Sequence, residues 1–296
     1  MKKQYNAGII FALIAVLFIS SCALEIGGER SVGKNAEYTS LTAKSFPAYS
    51  GNGYIEINNN VPYFDSDELK RESFEYYSRL DRLGRCQAAF ACLGRDLMPK
   101  EKRGDISSIK PSGWHSVKYD FVDSKSLYNR SHLIGWQLAG EDANEKNLIT
   151  GTRYMNATTM VSFENLVADY IKETDNHVMY RVTPFFDGDN LIADGVLMEA
   201  LSVEDDGDGV CFNVYCYNVQ PGVVIDYATG ESHEDRSKNA AATVQKTYVL
   251  NTGTKKFHLP SCGSISDIKL KNRQEYKGTR ESLIKQGYVP CGTCKP

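Results

Sequence analysis

Residues Leu127–Tyr170 read LYNRSHLIGWQLAGEDANEKNLITGTRYMNATTMVSFENLVADY, and two patterns in them decide the fold. Leu133 and Ile134 follow His132 as an apolar pair, which predicts a strand end that holds the imidazole in place. From Asn156 to Thr174, Met160, Phe163, Leu166, Val167, Tyr170 and Ile171 recur at helical spacing. Three alternating apolar runs follow, at Val178–Phe186, Leu191–Val203 and Val210–Val219, parted by Asp187-Gly188-Asp189-Asn190 and Asp205-Asp206-Gly207-Asp208-Gly209. Such turn-forming breaks predict antiparallel strands. A strand ending in histidine, a helix and an antiparallel sheet give an α+β core.

Upstream, Lys2 and Lys3 precede an apolar run from Ile9 to Ile19, then Ser20, Ser21 and Cys22. Eleven apolar residues fall short of the ~20 needed to span a bilayer. The order of positive, apolar and small residues is that of a secretory signal. With a cysteine next, Ile19-Ser20-Ser21-Cys22 resembles a lipobox, so residues 1–22 are expected to be a lipoprotein signal with Cys22 lipidated and the chain anchored to a membrane. An ordinary signal peptide with an incidental cysteine is the alternative. Residues 23–50, rich in Gly, Ser, Thr and Lys, are expected to form a flexible tether, and 51–233 the main domain. A polar linker at 234–247 then leads into a module at 248–296. The 296 residues carry a net charge of −3, yet Lys246–Pro296 alone holds ten Lys or Arg against Asp267, Glu275 and Glu281. An acidic body with a basic tail suggests an electrostatic division of labour.

Asn129-Arg130-Ser131-His132, with Asn147, Asn156 and Glu164 beyond it, resembles the DNA/RNA non-specific endonucleases that carry a ββα-metal, or His-Me, finger. The similarity is nearest to the secreted streptococcal DNases and DNA-entry nucleases. It runs from about Tyr54 to Tyr227 and includes Leu83-Gly84-Arg85, Pro111-Ser112-Gly113-Trp114 and Tyr217-Asn218-Val219-Gln220-Pro221-Gly222. It implies hydrolysis of DNA, with RNA as a second substrate, to 5′-phosphate products with little sequence preference. Phosphodiester hydrolysis needs an activated water and charge neutralisation at the phosphate. A neutral imidazole, with an ordinary pKa of ~6.5, suits His132 as the general base. Asn156 would place one Mg²⁺ on the phosphate, a hard cation that keeps several waters. By the resemblance, Glu164 would hold a metal-bound water and Asn147 would orient the site. Arg130 and Arg153 could grip phosphate oxygens, and Lys102 and Arg103 could line the groove. The wider family writes Asp-Arg-Gly-His where this chain has Asn129-Arg130-Ser131-His132.

His258, Cys262, Cys291 and Cys294 form an HxxxC followed by a CxxC. Three thiolates and an imidazole complete a tetrahedral zinc shell, which a small module needs for want of a core. The arrangement resembles the zinc domain of the Ada repair protein, and two disulfides or a redox pair are the alternatives. Cys86, Cys92, Cys211 and Cys216 are left as two bridges or as free thiols. No protein partner can be inferred. Three readings compete for the whole chain: a metal-dependent nuclease, a non-catalytic DNA-uptake receptor, and a structural surface lipoprotein, which would leave the spacing of His132 and Asn156 unexplained.

Overall fold

The computed structural model describes residues 33–235, 246–294 and 296. The signal sequence with Cys22 and most of the expected linker lie outside them. No helix among the described residues is long and apolar enough to cross a membrane. The central sheet has six antiparallel strands in the order β1 (Tyr54–Glu56), β8 (Cys211–Tyr217), β7 (Gly195–Ser202), β6 (Val178–Phe185), β3 (Ala89–Leu93) and β2 (Phe74–Tyr77). The three alternating runs of the sequence are thus β6, β7 and β8.

Because successive side chains on a strand point to opposite faces, the sheet sorts its residues by period two. On one face Val178, Tyr180 and Val182, with Val196, Met198 and Ala200, pack against a finger built from β4 (Tyr128–His132), β5 (Leu148–Thr152), α2 (Trp136–Ala139) and α3 (Val161–Thr174). Leu133, Leu138, Met160, Phe163, Val167 and Ile171 supply the finger's side of that core. The opposite face is buried too, and here the structure corrects the sequence reading. Residues 33–50, expected as a tether, instead form part of a third layer. Helix α1 (Ala36–Ser40) is capped by the Asn35 carboxamide, which accepts from the Glu37 and Tyr38 amides. The Tyr38 hydroxyl pairs with Thr183 Oγ1 at 2.7 Å, and the Phe46 ring stacks on Tyr215 with centroids 3.7 Å apart. The segment has no apolar period because it covers a sheet with single aromatic plugs.

Between these layers lies Arg181, fully buried, whose guanidinium donates to both Glu199 carboxylate oxygens at 2.7 and 3.0 Å and stacks 3.8 Å from the Tyr38 ring. Glu68, also buried, approaches it at 3.5 Å. Removing one partner of such a pair leaves a charge stranded in an apolar setting. Arg181→Met is expected to cost about 3–5 kcal/mol, read by urea unfolding; a loss below ~1 kcal/mol would show that the pair does not hold the third layer in place.

The expected linker is shorter than predicted. β10 (Ser232–Glu234) pairs with β9 (Val223–Ile225), and β11 begins at Lys246. β11 (Lys246–Asn251) lies between β12 (Lys256–His258) and β13 (Arg273–Gly278) in a four-stranded sheet ending in β14 (Val289–Pro290), with helix α4 (Arg280–Lys285) alongside. The small core of this module is Tyr248, Leu250, Phe257, Leu283 and Tyr288. Cys86, Cys92, Cys211 and Cys216 are all free thiols, the first, second and fourth of them buried.

Candidate active site and metal centres

His132 ends β4, and its ring is held from two sides. Nε2 lies 3.0 Å from the Asp142 carbonyl, and Nδ1 lies 3.2 Å from Arg103 Nη2. A carbonyl only accepts, so Nε2 carries the proton and the Nδ1 lone pair faces the site. Burial, reinforced by the Arg103 charge, lowers the imidazole pKa below its ordinary value despite the opposing carbonyl bond. The ring is therefore a neutral base near pH 7. Asp142, which the sequence did not single out, does double duty: its carboxylate accepts from the Gly104 amide at 2.9 Å and so fixes the loop beside Arg103.

Asn156 lies in a wide π-helical turn, Met155–Met160, that opens the finger helix. Such turns recur at functional sites because they re-aim a side chain out of the regular helical phase. Its Oδ1 accepts from Ser131 Oγ at 2.7 Å, and its Nδ2 donates to Asn129 Oδ1 at 3.2 Å. Asn129 and Ser131, the two positions where this chain departs from Asp-Arg-Gly-His, are thus the residues that orient Asn156. A carboxamide oxygen has two lone pairs, so one remains for a cation. Gly151 lies opposite Asn129 across the strand pair, and a Cβ added there would sit 2.6 Å from the Ser131 Cβ.

Glu164 packs its carboxylate onto Gly135, where an added Cβ would lie 2.6 Å from it. Desolvation pushes its pKa up to about 7, against a hydrogen bond from Gln137 and the Arg103 charge. His132, Arg103, Asn156 and Glu164 are therefore gathered around one end of the finger. Asn147 is fully buried and acts one layer below: it accepts from the Ile134 amide at 2.9 Å and donates to the Ile134 carbonyl at 3.1 Å, clamping the chain two residues past His132. Its bonds are to backbone, not to the imidazole or Asn156.

A groove of about 460 Å³ runs beside Asn156 and is lined by Arg103, Arg130 and Arg153, with Trp114 and Asn129. The arginines are not equivalent. Arg130 donates to the Ile109 and Ser107 carbonyls and stacks 4.1 Å from the Trp114 ring, organising the long loop that carries Arg103. Arg153 donates twice to Asp123. Lys102 is exposed and lines a different depression with Trp136 and Asp142.

In the C-terminal module, the ligand atoms of His258, Cys262, Cys291 and Cys294 all lie within 4.8 Å of one another. Parallel pairing of β12 with β14 sets Phe257 opposite Pro290 and so brings the two half-sites together. Bonds from the Cys294 and Thr293 amides pull the Cys291 thiol down to about 7. His258 Nδ1 is buried with no hydrogen-bond partner. A zinc tetrahedron with Zn–S of ~2.3 Å has edges of roughly 3.8 Å, so the four groups are near ligating distance.

The sequence profile described as DNA/RNA non-specific endonuclease matches residues 66–204. A deoxyribonuclease of Streptococcus dysgalactiae subsp. equisimilis is 36% identical over 110 residues, covering 35% of this chain and 32% of that protein. The chain thus matches about a third of that relative's length. Among solved structures, NucA from Streptococcus agalactiae with magnesium bound is 28% identical with a TM-score of 0.56, over 64% of this chain and 91% of that one. The Sda1 nuclease with bound zinc is 26% identical with a TM-score of 0.52, over 62% and 97%.

Proposed function

We propose that this chain, which belongs to the DNA/RNA non-specific endonuclease family through residues 66–204, is an exported, metal-dependent nuclease that hydrolyses DNA, with RNA as a second substrate. The observation that carries this reading is the pinned, neutral His132 with its Nδ1 lone pair facing the same end of the finger as Asn156 and Glu164. His132 Nδ1 takes the proton from the attacking water. Arg103 occupies that lone pair in the free protein, and a phosphate entering the groove offers it a stronger, charge-assisted acceptor, which frees Nδ1 for water. Asn156 Oδ1 and the Glu164 carboxylate are hard oxygen donors that fit Mg²⁺, and they would hold it, Asn156 directly and Glu164 through water. A Mg²⁺ held there would supply positive charge against the negative charge that builds on the phosphate oxygens. Asn147 holds the backbone from which His132 projects, while Arg130 and Arg153 shape the groove.

His258, Cys262, Cys291 and Cys294 would hold a structural Zn²⁺. The orphaned His258 Nδ1 and the low Cys291 pKa support the fit, and a zinc ion would staple a module whose core is five side chains.

Digestion of supercoiled plasmid with Mg²⁺, with a chelator, and with Mg²⁺ restored tests the activity. Cleavage only with the metal, leaving 5′-phosphate ends, is expected. Tight DNA binding with no cleavage under any metal would make the protein a receptor instead. The signal reading is tested separately: wild-type protein should partition with membranes and Cys22→Ala should not, and an unmodified N-terminus elsewhere in the mature chain would refute lipidation.

A further inference from the structure

A second groove, of about 910 Å³, lies between the β1 segment Gly51–Glu56 with Tyr154 on one side and Arg280, Pro290–Gly292 and Pro296 of the zinc module on the other. It is larger than the groove beside Asn156 and falls at the upper end of ligand-sized cavities, about 300–1,000 Å³. The two share a wall: Arg153 and Asn156 line the first, and Tyr154, between them in sequence, lines the second. One turn of the chain thus contributes side chains to both grooves.

We propose that this groove is an extended subsite for a single strand of nucleic acid leaving the cleavage site, built jointly by the nuclease core and the zinc module. This rests on the nuclease reading above. Three features match that occupant. Tyr54 is 43% exposed and lines the groove, its ring held in a T-shaped contact with Phe163 at a centroid distance of 4.9 Å. Every base has a π-face, so aromatic platforms bind single strands without regard to sequence. Arg280 is exposed and spends Nε on the Pro296 main-chain oxygen, which sets its guanidinium at the groove while leaving its terminal nitrogens for a phosphate. Glu56 is the one acidic side chain among the lining residues, and the module that forms the far wall is the basic part of the chain. The groove thereby gives the basic module a place in the reaction: it holds the strand that an acidic core would otherwise repel.

The test uses the full, zinc-loaded chain and single-stranded DNA of about 4 and about 16 nucleotides, the span of single-strand site sizes. Binding is read by fluorescence anisotropy in the His132→Ala background, and KM and kcat in the active background. The long strand should bind more tightly than the short one. Arg280→Ala and Tyr54→Ala should each weaken the long strand roughly tenfold, near the low end for losing one base–aromatic stack. Both should leave the short strand within about twofold and kcat unchanged, and Arg280→Lys should recover part of the loss. Long and short strands weakened alike, or neither weakened, would overturn the subsite. Absence of cleavage by the active chain would count against the nuclease reading alone, because the anisotropy arm needs no turnover.

Discussion

Replacing His132 with alanine is expected to lower the cleavage rate at least ~10²-fold while DNA binding survives, the low end of the contribution of a positioned general base. The ring is buried, its Nε2 proton is committed to the Asp142 carbonyl, and its Nδ1 is the basic atom, facing the groove residue Arg103. The other four histidines lack this arrangement: His177 is paired with Glu204, His115 contacts the Thr229 carbonyl, His233 is exposed on β10, and His258 sits among the cysteines of the C-terminal module. His132→Gly leaves a ring-sized gap, so added imidazole should restore part of the rate. Near-normal cleavage by His132→Ala without imidazole, in single-turnover measurements at saturating Mg²⁺, would remove His132 from the chemistry.

Asn156→Ala should abolish cleavage or shift its Mg²⁺ dependence to far higher concentration, since Asn156 is the one direct protein ligand proposed. Overlaid Mg²⁺ titrations of mutant and wild type would place the ligand elsewhere. Glu164 adds a pH dependence whose sign follows from its raised pKa. Below about 7 its carboxyl is protonated and neutral, and above about 7 it is charged and able to hold a metal-bound water. The Mg²⁺ concentration for half-maximal rate should therefore rise as pH falls through about 7, and Glu164→Gln should flatten that trend. His132 contributes no such limb there, because its lowered pKa keeps it neutral to below its ordinary value.

The finger and the three long strands were legible in the sequence because they obey simple periods, 3.6 for the helix and two for β6 to β8. The clustering of His258, Cys262, Cys291 and Cys294 was legible because a doubled half-site is a spacing pattern. What stayed hidden was whatever depends on the third dimension without a period. Tyr38 meets Arg181 and Phe46 meets Tyr215, each across well over a hundred residues, and nothing local marks residues 33–50 as a layer rather than a tether. Asp142 acts partly through its carbonyl, an atom every residue has, so no residue type could announce it. The spacing from Asn156 to Glu164 was read on an ideal α-helix, and the π-helical turn changes that phase. Arg130 matched the motif, yet its guanidinium is committed to the Ser107 and Ile109 carbonyls.

The sheet's edge strand β1 pairs with β8, Tyr54 opposite Cys216. During synthesis at about 5–20 residues per second, the first of these waits roughly 8–30 s for the second to emerge. Until then the finger lacks the completed surface it packs on, and the apolar faces of a growing chain stay open. Such a nascent chain is slow to commit, as proteins dominated by distant pairings are. If the chain is exported and cuts DNA as proposed, that delay is protective: the polypeptide would be threaded through a narrow export channel before it becomes able to attack the genome of the cell making it.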